Sequence, residues 1–166
     1  MKKILSRSII AMVLIILLSG CALIKKPGVG TSNLEQTIKV RITTANDLNK
    51  NPNGSSSPVV LIIYQIKSNL TFNTTDFFSL YKNSKATLGD DLISGEPFVV
   101  LPNKTQDVPV KINSGTQYLG VIAAFQDINN AKWRQSIQLN KTTKNLTIDL
   151  ENSNLTVEEE KNDNTK

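Results

Sequence analysis

Apolar and polar residues alternate along several short stretches of the chain. In the first of them, Ile38, Val40 and Ile42 are separated by polar residues. This period of two is typical of an antiparallel strand that packs one face on a core and turns the other to water. The same alternation recurs at residues 108–112, 133–139 and 146–150.

Two other stretches, residues 59–66 and 118–125, are apolar on both faces, so we expect them to be central strands covered on both sides. Pro109 lies in the strand predicted for residues 108–112. Because proline cannot donate to a β-ladder, we expect that strand to be an edge. Together with a short strand at residues 98–101, seven or so strands separated by turn residues predict a mainly β fold, a two-sheet antiparallel β-sandwich.

A helical pattern interrupts the strands. Asn73-Thr74-Thr75-Asp76 is typical of a helix N-terminus, and from Phe77 onward apolar residues follow at i, i+3 and i+4. We therefore predict a small helical insertion at about residues 72–92, covering the outer face of one sheet. Small residues in the stretch 118–125, such as Gly120, suit the close approach of a neighbouring layer.

The first twenty residues have the pattern of a secretory signal peptide. Basic residues precede an apolar run, residues 9–18, that is too short to span a bilayer. The run leads into Leu18-Ser19-Gly20-Cys21, which resembles the lipobox of bacterial lipoproteins. Residues 1–20 would then be removed, and Cys21 would carry a diacylglycerol on its sulfur and an N-acyl chain. The alternatives are a transmembrane anchor and a chance cysteine behind an ordinary signal.

The predicted mature chain has three parts. Residues 21–35 read as a lipidated tether, whose flexible dozen residues have an r.m.s. reach of about 20 Å. Residues 36–150 form the β-sandwich domain with its helical insertion. Residues 151–166 contain a run of three glutamates and are predicted to be a polar, disordered tail. Ala22, which follows the acylated cysteine, resembles an outer-membrane address.

Amino-acid composition limits the kinds of catalytic and metal site that the chain could hold. The chain has no histidine and one cysteine, which lipidation would consume. This argues against Ser-His and Cys-His nucleophiles and the usual zinc ligand sets. Three of the 19 basic residues lie in the signal peptide, so the mature chain has 16 basic and 14 acidic residues. This small positive excess gives no basis for nucleic-acid binding. We therefore expect no enzyme, no metal and no cofactor besides the acyl chains on Cys21.

The longest polar connection joins the first two predicted strands. At about twelve residues it exceeds an ordinary hairpin loop, and loops of this length are either functional or merely mobile. Asn53-Gly54 is a strong turn signal, and Leu48 is the one apolar residue of the loop. The candidate site is the whole loop: Asn46, Asp47, Leu48, Asn49, Lys50, Asn51, Pro52, Asn53, Gly54, Ser55, Ser56 and Ser57.

Two further motifs favour structural interpretations. Asp90-Asp91 could be a carboxylate pair for glycoside hydrolysis, but adjacent strand residues face opposite ways, so a turn or cap is favoured. Trp133-Arg134 could form a ligand-stacking platform. A tryptophan that begins an alternating strand is more often core, and we expect Trp133 to be buried with Arg134 facing solvent.

Several segments, in order, resemble one family. They are Ser57-Pro58-Val59-Val60, Ile63-Tyr64-Gln65-Ile66, Asp76-Phe77-Phe78-Ser79-Leu80-Tyr81, Leu88-Gly89-Asp90-Asp91-Leu92, Gly120-Val121-Ile122-Ala123-Ala124-Phe125 and Lys132-Trp133-Arg134. Each motif alone is weak, but their order behind a lipobox is much more specific. The chain resembles the TssJ (SciN/VasD) family of type VI secretion outer-membrane lipoproteins, from about residue 38 to residue 139.

The resemblance implies a fold and a role. The fold would be a transthyretin-like sandwich with a helical addition, held by its acyl chains at the periplasmic face of the outer membrane. The family binds the periplasmic C-terminal region of TssM, and through TssM joins TssL, so that outer and inner membranes are linked. The loop at residues 46–57 corresponds to the family's partner-binding loop. The alternative is an envelope lipoprotein whose sandwich binds a small molecule or glycan.

Overall fold

The structure is a computed structural model that describes residues 36–160. The predicted signal peptide, the tether at 21–35 and the candidate lipidation site Cys21 lie outside the described residues. In chain order the elements are β1 (Thr37–Thr44), β2 (Val59–Ile66), α1 (Leu70–Thr74), α2 (Phe77–Leu88), a 3-10 helix (Gly89–Asp91), β3 (Leu92–Val100), β4 (Thr105–Lys111), β5 (Tyr118–Ala123), β6 (Arg134–Gln138), β7 (Asn145–Glu151) and β8 (Asn154–Glu159).

The strands form two four-stranded sheets, in the orders β4-β1-β7-β8 and β3-β2-β5-β6. The predicted mainly β sandwich with a small helical insertion is confirmed. One pairing differs from the expected antiparallel pattern, because β1 and β7 run parallel, with Val40 beside Leu146 and Ile42 beside Ile148. These two strands are far apart in sequence, so no hairpin constrains their relative direction.

Strand positions follow the hydrophobic pattern. β2 and β5 are central in their sheet and β4 is an edge, as predicted. Pro109 of β4 pairs with Lys39 of β1, an arrangement that turns the missing N–H of proline toward the open edge. The alternating side chains of β1 and β7 fill the space between the sheets, where Ile38, Val40 and Ile148 are at most 1% exposed.

A second apolar cluster lies on the outer face of the β3-β2-β5-β6 sheet, beneath the helices. Phe72 of α1 is buried directly over Gly120 of β5, where an added Cβ would lie 2.7 Å from Phe72 Cζ. The Tyr64 hydroxyl donates a buried hydrogen bond to the Leu80 carbonyl of α2, at 2.9 Å. Burial raises the pKa of Tyr64. The predicted role of Gly120 is therefore confirmed: it lets a helix approach the sheet closely.

The C-terminal prediction is wrong in part. Asn154–Glu159, placed in a disordered tail, forms strand β8 and pairs antiparallel with β7. Leu155 and Val157 are buried in the core between the sheets. Two apolar residues are enough to hold this mostly polar segment as a strand, because the edge of β7 supplies its backbone hydrogen-bond partners. Residues 161–166 lie outside the described part.

The connections gather at two opposite ends of the sandwich. The N-terminal pole contains Gln36 and the connections 67–69, 112–117 and 139–144, joined by bonds such as Ile112 N–H to the Gln36 carbonyl at 2.7 Å. The loop pole contains the connections 45–58, 101–104, 124–133 and 152–153. The eight residues of β1 separate the two poles by about 27 Å.

Candidate functional site

The candidate loop is fixed to the loop pole by backbone hydrogen bonds. Its second half is held by the Ser57 N–H, which donates to the Leu48 carbonyl at 3.0 Å. Its first half is held by the Asn49 N–H, which donates to the Asn152 carbonyl between β7 and β8 at 2.7 Å. The loop is thus held by one hydrogen bond between its two halves and by another to the turn between β7 and β8.

Asn49 connects the two sheets at this pole. Its side-chain amide donates to the Pro58 carbonyl at 3.0 Å, and its amide oxygen accepts from the Gln126 N–H at 2.8 Å. Its φ of 48° lies in the left-handed region, which asparagine tolerates better than most residues. Sequence reasoning placed Asn49 among partner contacts, whereas its bonds give it a structural role.

Leu48 is also structural. It is 0% exposed and belongs to the core between the sheets. Leu48, and Asn49 at 3% exposed, therefore offer almost no surface to a partner in this conformation. The hydrophobic effect explains the result, because a fully apolar side chain next to an open sandwich end is most stable inside it.

The tip of the loop projects into solvent as an ordered turn. The Asn51 side-chain oxygen accepts from the N–H groups of Asn53 and Ser55, each at 3.0 Å. Gly54, at φ 81°, donates its N–H to the Asn51 carbonyl at 2.8 Å. The exposed loop residues are Asn46, Lys50, Pro52, Asn53, Gly54 and Ser55.

Three remaining loop residues are partly buried. The Ser56 hydroxyl donates to the Asn46 carbonyl and closes the base of the loop. Ser57 leads into β2. Asp47 buries its Oδ1 with no hydrogen-bond partner among the described residues. The loop therefore divides into a base that supports the fold and a polar, exposed tip.

Two exposed apolar side chains lie beside this loop. Val99 is 66% exposed and Leu101 is 50% exposed, at the end of β3 and just beyond it. The Thr44 hydroxyl donates to the Leu101 carbonyl at 2.6 Å, which places Leu101 next to the start of the loop. Sequence reasoning assigned residues 98–101 to a strand but not to the site. The sequence feature that could have indicated their exposure is their position in the alternation. Val99 and Leu101 point away from the core, on a stretch that the predicted helices do not cover.

A groove of about 240 Å³ opens between β3 and β4, on the side of the sandwich where the sheet edges stay apart. Four apolar residues line it together with five polar or charged ones, which are Gln65, Ser94, Glu96, Lys111 and Asn113. The Gln65 amide donates to the Lys111 carbonyl at 2.9 Å and accepts from the Asn113 N–H at 2.8 Å. The side-chain amide of Gln65 is thus satisfied within the domain, and the volume of the groove is below that of typical ligand pockets.

The motifs set aside earlier have structural roles. Asp90 and Asp91 lie in the 3-10 helix that follows α2. Trp133 is partly buried and packs edge-to-face on Phe77, with ring centroids 5.3 Å apart. The expectation for Arg134 is wrong: it is half-buried, lies over the Trp133 ring and donates to the Phe72 carbonyl at 2.9 Å. Burial lowers its pKa.

Within residues 36–160, no group of three or more acidic, cysteine or histidine residues is arranged to hold a metal ion. In that same part of the chain, no helix is long and apolar enough to cross a membrane.

A family model described as type VI secretion lipoprotein (VasD, EvfM, TssJ) matches residues 36–157. The chain belongs to this family. The match spans nearly the whole described sandwich, including β8, so the family assignment and the fold agree. The type VI secretion lipoprotein family is not a known enzyme family. No curated protein sequence matches the chain significantly.

Solved structures show the same fold. The T6SS lipoprotein TssJ1 from Pseudomonas aeruginosa is 26% identical, with a TM-score of 0.73 over 76% of this chain and 98% of that chain. Serratia marcescens Lip, a membrane-bound component of the type VI secretion system, is 22% identical, with a TM-score of 0.69 over 74% and 97%. A chain in a structure described as the T6SS protein TssM C-terminal domain from EAEC is 23% identical, with a TM-score of 0.63 over 74% and 98%.

The division of the loop into base and tip can be tested by stability. We expect Leu48→Ala to lower the free energy of unfolding by about 2–5 kcal/mol, because it leaves a cavity at the sandwich end. Ser55→Ala at the exposed tip should change it by less than about 0.5 kcal/mol. Urea denaturation of both variants gives the comparison, and equal stability of the two would contradict the burial of Leu48.

Proposed function

We propose that the chain is the outer-membrane-anchored subunit of the type VI secretion membrane complex. Acyl chains on Cys21 hold it at the periplasmic face, and the exposed tip of the loop at residues 46–57 binds the periplasmic C-terminal domain of TssM. Through TssM, and from there TssL, it links the outer to the inner membrane. The observation that carries this proposal is the placement of the loop and of the start of the domain at opposite poles.

The opposite poles suit a bridging protein. Gln36, where the described chain begins, lies at the N-terminal pole, and the loop lies about 27 Å away along β1. A domain tethered through residues 21–35 would therefore be attached at the pole opposite the loop. The flexible tether would leave the loop free to meet a partner anchored in the other membrane.

The anchoring step follows from membrane physics. Each buried CH₂ of an acyl chain contributes about 0.8 kcal/mol, so one chain gives marginal binding, whereas two or more give stable attachment. A diacylglycerol and an N-acyl chain on Cys21 would meet that requirement. Ala22 next to Cys21 favours the outer membrane as the destination.

The partner-binding surface needs more than the loop tip. Asn53, Gly54 and Ser55 offer hydrogen bonds but no apolar contact, and binding energy usually concentrates in a few desolvated side chains. Val99 and Leu101 supply exposed apolar area at the same pole. We infer that the polar tip gives specificity and that these two side chains add affinity, with further gain from several copies in one assembly.

Similar structures support the choice of partner. One chain of a structure described as a type VI membrane complex has this fold, with a TM-score of 0.66 and 24% identity. Another such chain is found in the structure described as the TssM C-terminal domain. Both descriptions are consistent with an assembly role, and we propose that the chain performs it without catalysis and without a cofactor.

The anchor is tested by Cys21→Ser. Removing the thiol removes the acceptor of the diacylglycerol, so the protein should disappear from the outer-membrane fraction. Fractionation of cell envelopes with immunodetection measures this, and Ser19→Ala, which leaves the cysteine in place, is the control. Unchanged outer-membrane recovery of the Cys21→Ser protein would contradict the anchor.

The role of the loop tip is tested by Asn53→Trp. The bulky side chain projects from an exposed turn, so folding should be retained while the contact with the TssM periplasmic domain is blocked. We expect binding at least about tenfold weaker, a loss of about 1.4 kcal/mol, in a calorimetric titration.

Gln117→Trp is the matched control for this variant. Gln117 is an exposed amide residue at the opposite pole, and its replacement should leave TssM binding unchanged. If both variants bind TssM as well as the native chain, the loop is not the binding site.

The apolar contribution is tested by Leu101→Asp. A carboxylate at this position would be desolvated by the partner without a counter-charge, so we expect binding to TssM to weaken by about tenfold or more. Leu70→Asp makes the same chemical change at a residue that is 72% exposed at the N-terminal pole. Equal effects of the two substitutions would refute a contact at Leu101.

A further inference from the structure

In the described part of the chain, four strands lie at sheet edges: β4 and β8 in one sheet, β3 and β6 in the other. An edge strand carries a row of N–H and C=O groups with which a strand of another chain can pair. β3 is the longest of the four, with nine residues, and its Val99 is 66% exposed. A long edge with exposed apolar side chains is a typical site of edge-to-edge association.

Pro97 lies in the middle of β3, where it faces the open edge. The Ala124 N–H donates to the Val60 carbonyl at 2.8 Å, so the even-numbered residues of β2 bond to β5 and the odd-numbered ones bond to β3. Pro97 pairs with the even-numbered Ile62. Its backbone nitrogen therefore points away from β2, and because proline has no N–H, the open edge of β3 lacks its central donor.

Pro109 has the equivalent position in β4. The Thr44 N–H donates to the Lys104 carbonyl at 2.8 Å, and the Ile112 N–H donates to the Gln36 carbonyl at 2.7 Å. The even-numbered residues of β4 thus bond to β1, and the odd-numbered ones, Pro109 among them, face the open edge. Because β3 and β4 flank the same groove, both edges on this side of the sandwich carry a central proline.

The opposite side of the sandwich is blocked in a different way. The Leu155 N–H of β8 donates to the Lys132 carbonyl at 2.9 Å. The Gln135 side chain donates to the Val157 carbonyl at 3.1 Å and accepts from the Val157 N–H at 3.0 Å. These bonds occupy the outward groups of β8. The remaining edge strand, β6, has only five residues, and a short edge offers few groups for pairing.

We propose that Pro97 and Pro109 prevent β3 and β4 from pairing with the same edges of a second copy of this chain. A two-fold antiparallel pairing of two β3 strands about residue 97 would place the two prolines opposite each other, so both hydrogen bonds of the central pair would be missing. Pairing of two β4 strands about residue 109 would lose its central bonds for the same reason.

Other side chains do not supply this protection. In the β3 pairing, Gly95 would lie opposite Val99 of the second copy. In the β4 pairing, Asp107 would lie opposite Lys111 of the second copy, which brings opposite charges together. Since no like charges oppose either pairing at these positions, the protection depends on the two prolines.

This inference concerns the domain itself and holds whichever partner the loop pole binds. Copies of the chain that are brought close together would remain separate domains. A partner that approaches the groove between β3 and β4 would have to make contact through side chains, because strand addition is blocked on both edges.

The test measures self-association of the full mature chain, purified from envelopes in detergent, by sedimentation velocity over a range of concentrations. Pro97→Val restores both central hydrogen bonds, each worth about a fivefold change in equilibrium, so the dimer association constant should rise by at least about 30-fold. Pro52→Val makes the same chemical change at an exposed loop residue outside the strands. It should associate no more than the native chain.

Hydrogen exchange measured by nuclear magnetic resonance identifies the edge that pairs. In the native chain, the amide protons of Gly95 and Val99 point to the open edge and should exchange quickly, whereas that of Phe98, bonded to β2, should be protected. In Pro97→Val at concentrations where dimers form, Gly95 and Val99 should become protected as well. Association through apolar side chains alone would not produce this alternation.

Three results would overturn the inference. They are a folded Pro97→Val protein that associates no more than the native chain, equal association of Pro52→Val, and dimers of Pro97→Val in which Gly95 and Val99 still exchange quickly. If Phe98 loses its protection, Pro97→Val has not folded, and Pro109→Val then gives the same test with the Asp107 amide proton as its reporter.

Discussion

The geometry of the molecule depends on the pairing of β1 on both of its edges. β4 pairs with it antiparallel and β7 pairs with it parallel, and its inward apolar side chains are at most 1% exposed. A strand held in this way cannot slip, because a shift by one residue would turn Ile38, Val40 and Ile42 to solvent. The start of the domain and the start of the loop are therefore fixed at the two ends of one rigid element.

The base of the loop completes the fold at one of those ends. Leu48 fills the sandwich where the two sheets diverge, and Asn49 bonds to residues before β2, after β5 and between β7 and β8. These bonds explain how a connection rich in Asn and Ser stays ordered. They also give the exposed tip a rigid support, which lowers the entropy lost when a partner binds.

Much of the fold could be predicted from the sequence. The alternation of apolar and polar residues identified strands that pack one face on the core. The two stretches that are apolar on both faces identified the central strands β2 and β5, and Pro109 identified β4 as an edge strand. The errors share a cause, since each needed knowledge of a neighbour distant in sequence. β8 depends on the exposed edge of β7, Arg134 finds its acceptors on α1, and Leu48 is buried by sheets that the local pattern does not describe.

The site is less predictable than the fold for the same reason. Length and composition singled out residues 46–57, but they could not separate Leu48 and Asn49 from the exposed tip. The apolar residues beside the tip, Val99 and Leu101, come from a different part of the chain. A surface that binds a protein partner has to combine polar groups for specificity with apolar area for affinity. In the surface that we propose, the two come from separate parts of the chain that meet only because the β3–β4 turn and the loop share one pole. The proposed surface is therefore a property of the topology rather than of any single segment.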